Sequence, residues 1–127
     1  NYNLDLRGNN MKNNNLIILE GNLTREPKSS KSEKGNTVIK FSIACNGYGT
    51  KSTKNENTEI VSFFDVIAWS ELAESNLDKL KKGVKVQVIG SLSQWRWKDE
   101  LGKSRSKVNV IAKYIEYPFS SKRNKYF

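Results

Sequence analysis

The chain has 127 residues, 36% hydrophobic and 28% charged, a balance that suits one globular domain and leaves too little chain for two cores. Lys and Arg number 22 against 13 Asp and Glu, a formal net charge of +9, and the absence of histidine removes His triads, His-dependent hydrolases and most zinc enzymes. The four aspartates (Asp5, Asp65, Asp78 and Asp99) are scattered, unlike the clustered carboxylates of a two-metal nuclease, and no run approaches the ~20 apolar residues of a membrane-spanning helix.

Residues 1–14, NYNLDLRGNNMKNN, are asparagine-rich, lack apolar periodicity and read as a flexible arm. Met11 is the only methionine and the chain starts at Asn1, so the arm is expected to be a processed terminus, an expression remnant or upstream sequence of a longer precursor. The domain proper is expected over 15–117. Its first strand, Leu16–Leu23, is apolar on both parities, with Gly21 placed for a bulge in a sharply bent strand. Lys28–Asn36 reads as a polar turn region. Thr37–Asn46 alternates, with Ile39, Phe41 and Ile43 on one face and Lys40, Ser42 and Ala44 on the other. Cys45 cannot form an internal disulfide, and without a histidine to activate it the thiol reads as a small buried hydrophobe. Gly47–Asn57 is polar and basic, a long hairpin loop carrying Lys51 and Lys54.

Glu59–Trp69 forms a third strand. Phe64, Val66 and Ala68 make a core face; Phe63, Asp65, Ile67 and Trp69 make the other, where the charge of Asp65 argues for solvent. A helix follows: Ser70 as N-cap, Ala73, Leu77 and Leu80 at i, i+4 and i+7, Lys79, Lys81 and Lys82 in the last turn, and Gly83 as the stop. The fourth strand runs Val84–Trp97 around Gly90, with Val84, Val86, Val88 and Leu92 on the core parity. The turn Asp99–Gly102 leads to a fifth strand over about Ser104–Tyr117, and residues 118–127 form a basic tail. Five strands with one helix between the third and fourth is the order of a mainly β, five-stranded OB-fold barrel; a generic α+β sandwich fits the same pattern.

The chemistry concentrates on the third and fourth strands. Trp95 and Trp97 share the solvent parity with Arg96 and Lys98 interleaved, and Lys103, Arg105 and Lys107 return on the fifth strand. Flat aromatic faces accept stacked bases, and Lys and Arg neutralise the phosphates between them, which suits a single strand whose bases are unpaired. The plainer alternatives are a second packed layer or subunit interface around Phe63 and Trp69, and a solvated charged hairpin with two packed tryptophans. No cofactor, metal or membrane partner is expected, and the chain reads as a polyanion binder, not an enzyme.

The segments LIILEGNLTREP, NTVIKFSIACN, FFDVIAWSELAE, LKKGVKVQVIGSL and WRWKDELGK resemble the bacterial-type single-stranded-DNA-binding protein family, through about residues 15–117. The resemblance implies an OB-fold, usually homotetrameric, that coats single-stranded DNA in replication, recombination and repair. It places the family's stacking aromatics on Phe63, Trp69 and Trp97, with Tyr48 as a further one; Trp95 shares the parity without a family match. Phosphate contacts are expected from Lys40, Lys51, Lys54, Arg96, Lys98, Lys103, Arg105 and Lys107. The basic ending SSKRNKYF departs from the acidic tip through which the family recruits replication and repair enzymes, and Asp65 is an unexpected charge on a phosphate-binding face. Asn (15) and Lys (17) together mark an AT-rich genome, which points to an organelle-imported, apicoplast-type version or to a bacterium of the same bias. An RNA-binding OB module and an OB-fold interaction subunit are the competing readings.

Overall fold

Alternating side chains bury one face of a strand only if a second surface closes over it. Here the sheet closes on itself. The computed structural model describes residues 3–4, 10–11, 14–50 and 57–118, with side chains over 14–47 and 60–118. Its elements are β1 (Asn3–Leu4), β2 (Asn10–Met11), β3 (Ile17–Leu23), β4 (Lys28–Lys31), β5 (Thr37–Thr50), β6 (Asn57–Trp69), α1 (Ser70–Asn76), β7 (Lys85–Lys98) and β8 (Ser104–Glu116). Among the described residues, β1 and β2 pair only with each other. Most of the arm at 1–14, and the basic tail beyond Pro118, lie outside the described residues.

β3 runs antiparallel to β7 from Ile17↔Gly90 to Asn22↔Lys85, then crosses to β5 through Asn22↔Ala44 and Leu23↔Ile43. β5 pairs with β6, β6 meets β8 in a short parallel ladder at Val66↔Val110 and Ile67↔Ile111, and β8 returns to β7. The ring β3–β7–β8–β6–β5 with α1 between β6 and β7 is the OB-fold arrangement. Its interior holds Ile39, Phe41 and Ile43 of β5, Val66 and Ala68 of β6, Val86 and Val88 of β7, and Val110 and Ala112 of β8. Each such Ile, Val or Phe side chain contributes roughly 1.5–3 kcal/mol of transfer free energy. Ala73 and Leu80 join this cluster from α1 and the turn after it.

Several expectations are corrected. Gly21 lies in an unbroken part of its ladder and serves close approach instead: a Cβ there would stand 2.4 Å from the Ala44 carbonyl oxygen, where β3 crosses β5. The register break comes at Gly90. Ile89 faces Tyr114 while Gly90 faces Ala112, so Lys113 is the extra residue, and the core row of β8 passes from even positions to Ile115. Leu92 keeps the core parity but is 41% exposed, because β7 there leaves the ring for the hairpin.

Lys28–Asn36 is not all turn. β4 takes the part of the β5 edge that β3 leaves unused, pairing Lys28↔Lys40 through Lys31↔Thr37. The β5–β6 ladder also continues to Thr50↔Asn57, so both ends of the predicted Gly47–Asn57 loop are strand. The helix stops at Asn76, so Lys79, Lys81 and Lys82 lie beyond its last turn. The N-cap falls on Trp69, with no side-chain cap hydrogen bond, while Ser70 is the first helical residue and sits at φ 57° in the strand-to-helix corner; Leu77 is exposed. Asn76 donates from Nδ2 to the Leu72 carbonyl and accepts from the Tyr117 hydroxyl, which pins that end of the helix to the chain after β8.

Candidate nucleic-acid interface

The β7–β8 hairpin projects beyond the ring because its register continues to Lys98↔Ser104, whereas β7 leaves β3 at Gly90 and β8 pairs with β6 only at Val110 and Ile111. Its turn is built around one carboxylate. Asp99 accepts the backbone N–H groups of Leu101 and Lys103 and the Nε–H of Arg105, at 2.9, 2.9 and 3.0 Å. Gly102 takes φ 80°, which suits glycine at this tight reversal. The Lys103 N–H above all, with Arg105 and Leu101 adding, holds the Asp99 carboxyl below the usual carboxylate range.

On this frame Trp95 stands opposite Lys107 and Trp97 opposite Arg105. The rings are 38% and 49% exposed. Trp95 Nε1 donates to the Ser93 hydroxyl at 3.0 Å, and Arg96 donates to Gln94 Oε1 at 2.9 Å. Both tryptophans wall a groove of about 280 Å³ between the hairpin and the β5–β6 face. Lys40 and Lys107 line it, as do two cations absent from the expected phosphate contacts: Arg25, just beyond the first strand, and Lys28, in the segment that read as a turn. The pairing Lys28↔Lys40 carries that basic edge onto the groove. Trp97 also borders a shallower hollow with Arg96, Lys98 and Arg105.

Two carboxylates line the groove, and both are engaged. Asp65 accepts a hydrogen bond from the Ser42 hydroxyl at Oδ1 and an ion pair from the Lys107 ammonium at Oδ2. Those two bonds, Lys107 first, lower its carboxyl from the ordinary value against a smaller opposing effect of burial. Glu26, the other carboxylate of the lining, accepts the Lys82 backbone N–H at 3.2 Å.

Phe63 and Trp69 lie on the Asp65 row of β6, 67% and 38% exposed, and flank the groove without lining it. Between them Ile67, read as solvent-facing, is 3% exposed, since it occupies the central position between Lys40 of β5 and Ile111 of β8. Lys98 and Lys103 are exposed on the hairpin and its turn. Tyr48 pairs its backbone with Glu59, but its side chain lies outside the described residues, as do Lys51 and Lys54 altogether. Exposed rings beside a cationic groove can stack planar groups and neutralise an anionic polymer in one geometry.

A sequence profile of the single-strand binding protein family matches residues 14–118. The single-stranded DNA-binding protein 2 of Chlorobaculum tepidum is 38% identical over 111 residues, covering 87% of this chain and 74% of that protein. The single-stranded DNA-binding protein of Borreliella burgdorferi is 40% identical over 111 residues, covering 87% of this chain and 72% of its own. Among solved structures, the Plasmodium falciparum SSB complex with ssDNA superposes with a TM-score of 0.76 at 25% identity, over 87% of this chain and 99% of that one.

Proposed function

Since this chain belongs to the single-strand binding protein family, we propose that it binds single-stranded DNA with little sequence preference and protects it during replication, recombination and repair. The observation that carries the reading is the pair of half-exposed rings, Trp95 and Trp97, walling a groove lined by Arg25, Lys28, Lys40 and Lys107. Bases stack on these rings and on Phe63, Trp69 and Tyr48, each contact worth about 1–3 kcal/mol. Phosphates follow Lys40, Lys51, Lys54, Arg96, Lys98 and Lys103, with Arg25 and Lys28 extending the track. The role is binding, without catalysis or cofactor.

The test is a titration with oligo-dT, with oligo-U and with buffer, followed by tryptophan fluorescence. Strong quenching by oligo-dT with weaker quenching by oligo-U is expected. No response to either polymer overturns the reading in favour of a protein-interaction role.

The working form is proposed to be a homotetramer. Ile18, Ile89 and Tyr114 form one row across β3, β7 and β8, and Ile18 and Tyr114 are exposed, with Leu16 beside them, so a second copy gains by covering this face. A stable monomer in light scattering at micromolar concentration rejects this. The bacterial character of the relatives supports a bacterial-type protein, and the Asn and Lys bias supports a plastid location as the narrower proposal. Imaging of the tagged protein in its own cells decides it, and a signal outside the organelle rejects the plastid. Replication and repair enzymes are proposed as partners. Their recovery in pull-downs with the protein is expected, and pull-downs that recover none of them reject this.

A further inference from the structure

A groove that holds phosphates gains from every cation and loses from every carboxylate. Asp65 therefore needs an account. It stands on the groove lining with its side chain 37% exposed, and its two oxygens are engaged by Ser42 and Lys107. Lys107 leaves β8 directly opposite Trp95, the place from which an ammonium would meet the phosphate next to a base stacked on that ring. It is turned instead onto Asp65. Glu26 is engaged at the Lys82 backbone, so among the described residues Asp65 is the carboxylate that acts on this cation.

We propose that Asp65 limits the affinity of the groove: it neutralises Lys107 and withholds that cation from the DNA phosphates. This rests on the single-strand-binding reading above. The phosphates then run along the flanks, by Arg25, Lys28 and Lys40 on one side and Arg96 and Lys98 on the other. The centre of the groove beside Trp95 presents an internally compensated pair. A strand held by its flanks and its stacked bases, and not by every available cation, leaves more readily, which suits a coat that other enzymes must clear. The opposite carboxylate in this region, Asp99, is a contrast. It sits in the turn outside the groove, and its bonds to Leu101, Lys103 and Arg105 build the hairpin.

The test compares the unmodified protein with Asp65→Asn and with the double variant Asp65→Asn/Lys107→Gln, using oligo-dT across a salt series. Asparagine keeps the shape of the side chain and an acceptor for Ser42, and melting curves verify the fold of each variant. Asp65→Asn is expected to bind more tightly, with a slope of log K against log salt steeper by about 0.7, as for one more phosphate neutralised. Its advantage then grows about fivefold for each tenfold fall in salt. The double variant, which removes the pair as a neutral unit, is expected to keep the native slope. An unchanged or weaker affinity for folded Asp65→Asn overturns the proposal. So does a double variant with a slope flatter than native, because Lys107 would then already serve a phosphate. Absence of oligo-dT binding by the unmodified protein defeats the single-strand reading itself, and the inference with it.

Discussion

Trp97 stands directly opposite Arg105 in the β7–β8 ladder, and Arg105 is tied by its Nε to Asp99 Oδ2 at 3.0 Å. The cation beside the more exposed of the two groove tryptophans is thus held by the hairpin turn, while the indole keeps half its surface open. The ring borders both the groove and the hollow beyond it, so it can accept a base without first leaving a packed site. Trp97→Ala is expected to cost roughly 1–3 kcal/mol of single-strand affinity with little change in melting midpoint. A buried core tryptophan would instead cost about 3–5 kcal/mol of stability. Measuring both on the assembled oligomer separates the two, and a lowered midpoint with unchanged affinity rejects the stacking role. Trp95→Ala is expected to weaken binding less, because more of its ring is already covered.

Affinity should fall steeply with salt, since each single-strand phosphate neutralised contributes about −0.7 to the slope of log K against log salt. Lys103 lies exposed in the turn, with only its backbone N–H and carbonyl engaged by Asp99. Lys103→Ala is expected to flatten the slope by about 0.7 and leave base preference unchanged. A slope identical to native in a salt series removes Lys103 from the phosphate track.

Gly90 is where the ring is tightest. An added Cβ would lie 1.9 Å from the Ile111 carbonyl oxygen, a backbone atom held in the β7–β8 ladder. Gly90→Ala is expected to lose about 3 kcal/mol or more of stability, at the upper end of overpacking. Gly47→Ala, whose Cβ would have its nearest neighbour at 3.9 Å, is the matched control and should be close to neutral. Denaturant unfolding of both checks the contrast; equal midpoints contradict the close approach.

Tyr117 links the end of β8 to α1 through Asn76, and the Lys79 ammonium lies 5.9 Å from its ring centroid. Burial first, and the negative charge of Asp78 second, push its phenol up to about 12. A raised pKa means that the folded state favours the protonated form. The contribution to stability is therefore complete below the ordinary phenol value near 10 and disappears as pH rises from there through about 12. Ultraviolet difference titration against Tyr117→Phe should show the late ionisation, and stability of the native protein should fall more than that of the variant over this window. Ionisation of Tyr117 at the ordinary phenol value refutes the assignment.

Much of this molecule is written locally. The alternation of Ile39, Phe41 and Ile43 marked a core row, and Trp95 and Trp97 interleaved with Arg96 and Lys98 marked an exposed, nucleic-acid-like hairpin, because side-chain direction in a strand repeats every two residues. The order of five strands and one helix pointed to the OB-fold beside a generic α+β sandwich, and the closed ring decided for the barrel. Tertiary structure decided what depends on register and closure. Leu92 shares the core parity yet emerges where β7 leaves the ring, and Ile67 shares the solvent parity yet is buried between two neighbouring strands. The run of Lys28 to Lys31 becomes a strand only because β5 offers it a vacant edge. The pairing of Asp65 with Lys107 joins residues 42 positions apart, through the closure of β6 against β8 and of β8 against β7. Periodicity fixes which way a side chain points from its own strand; only the closed ring determines which charge it meets there.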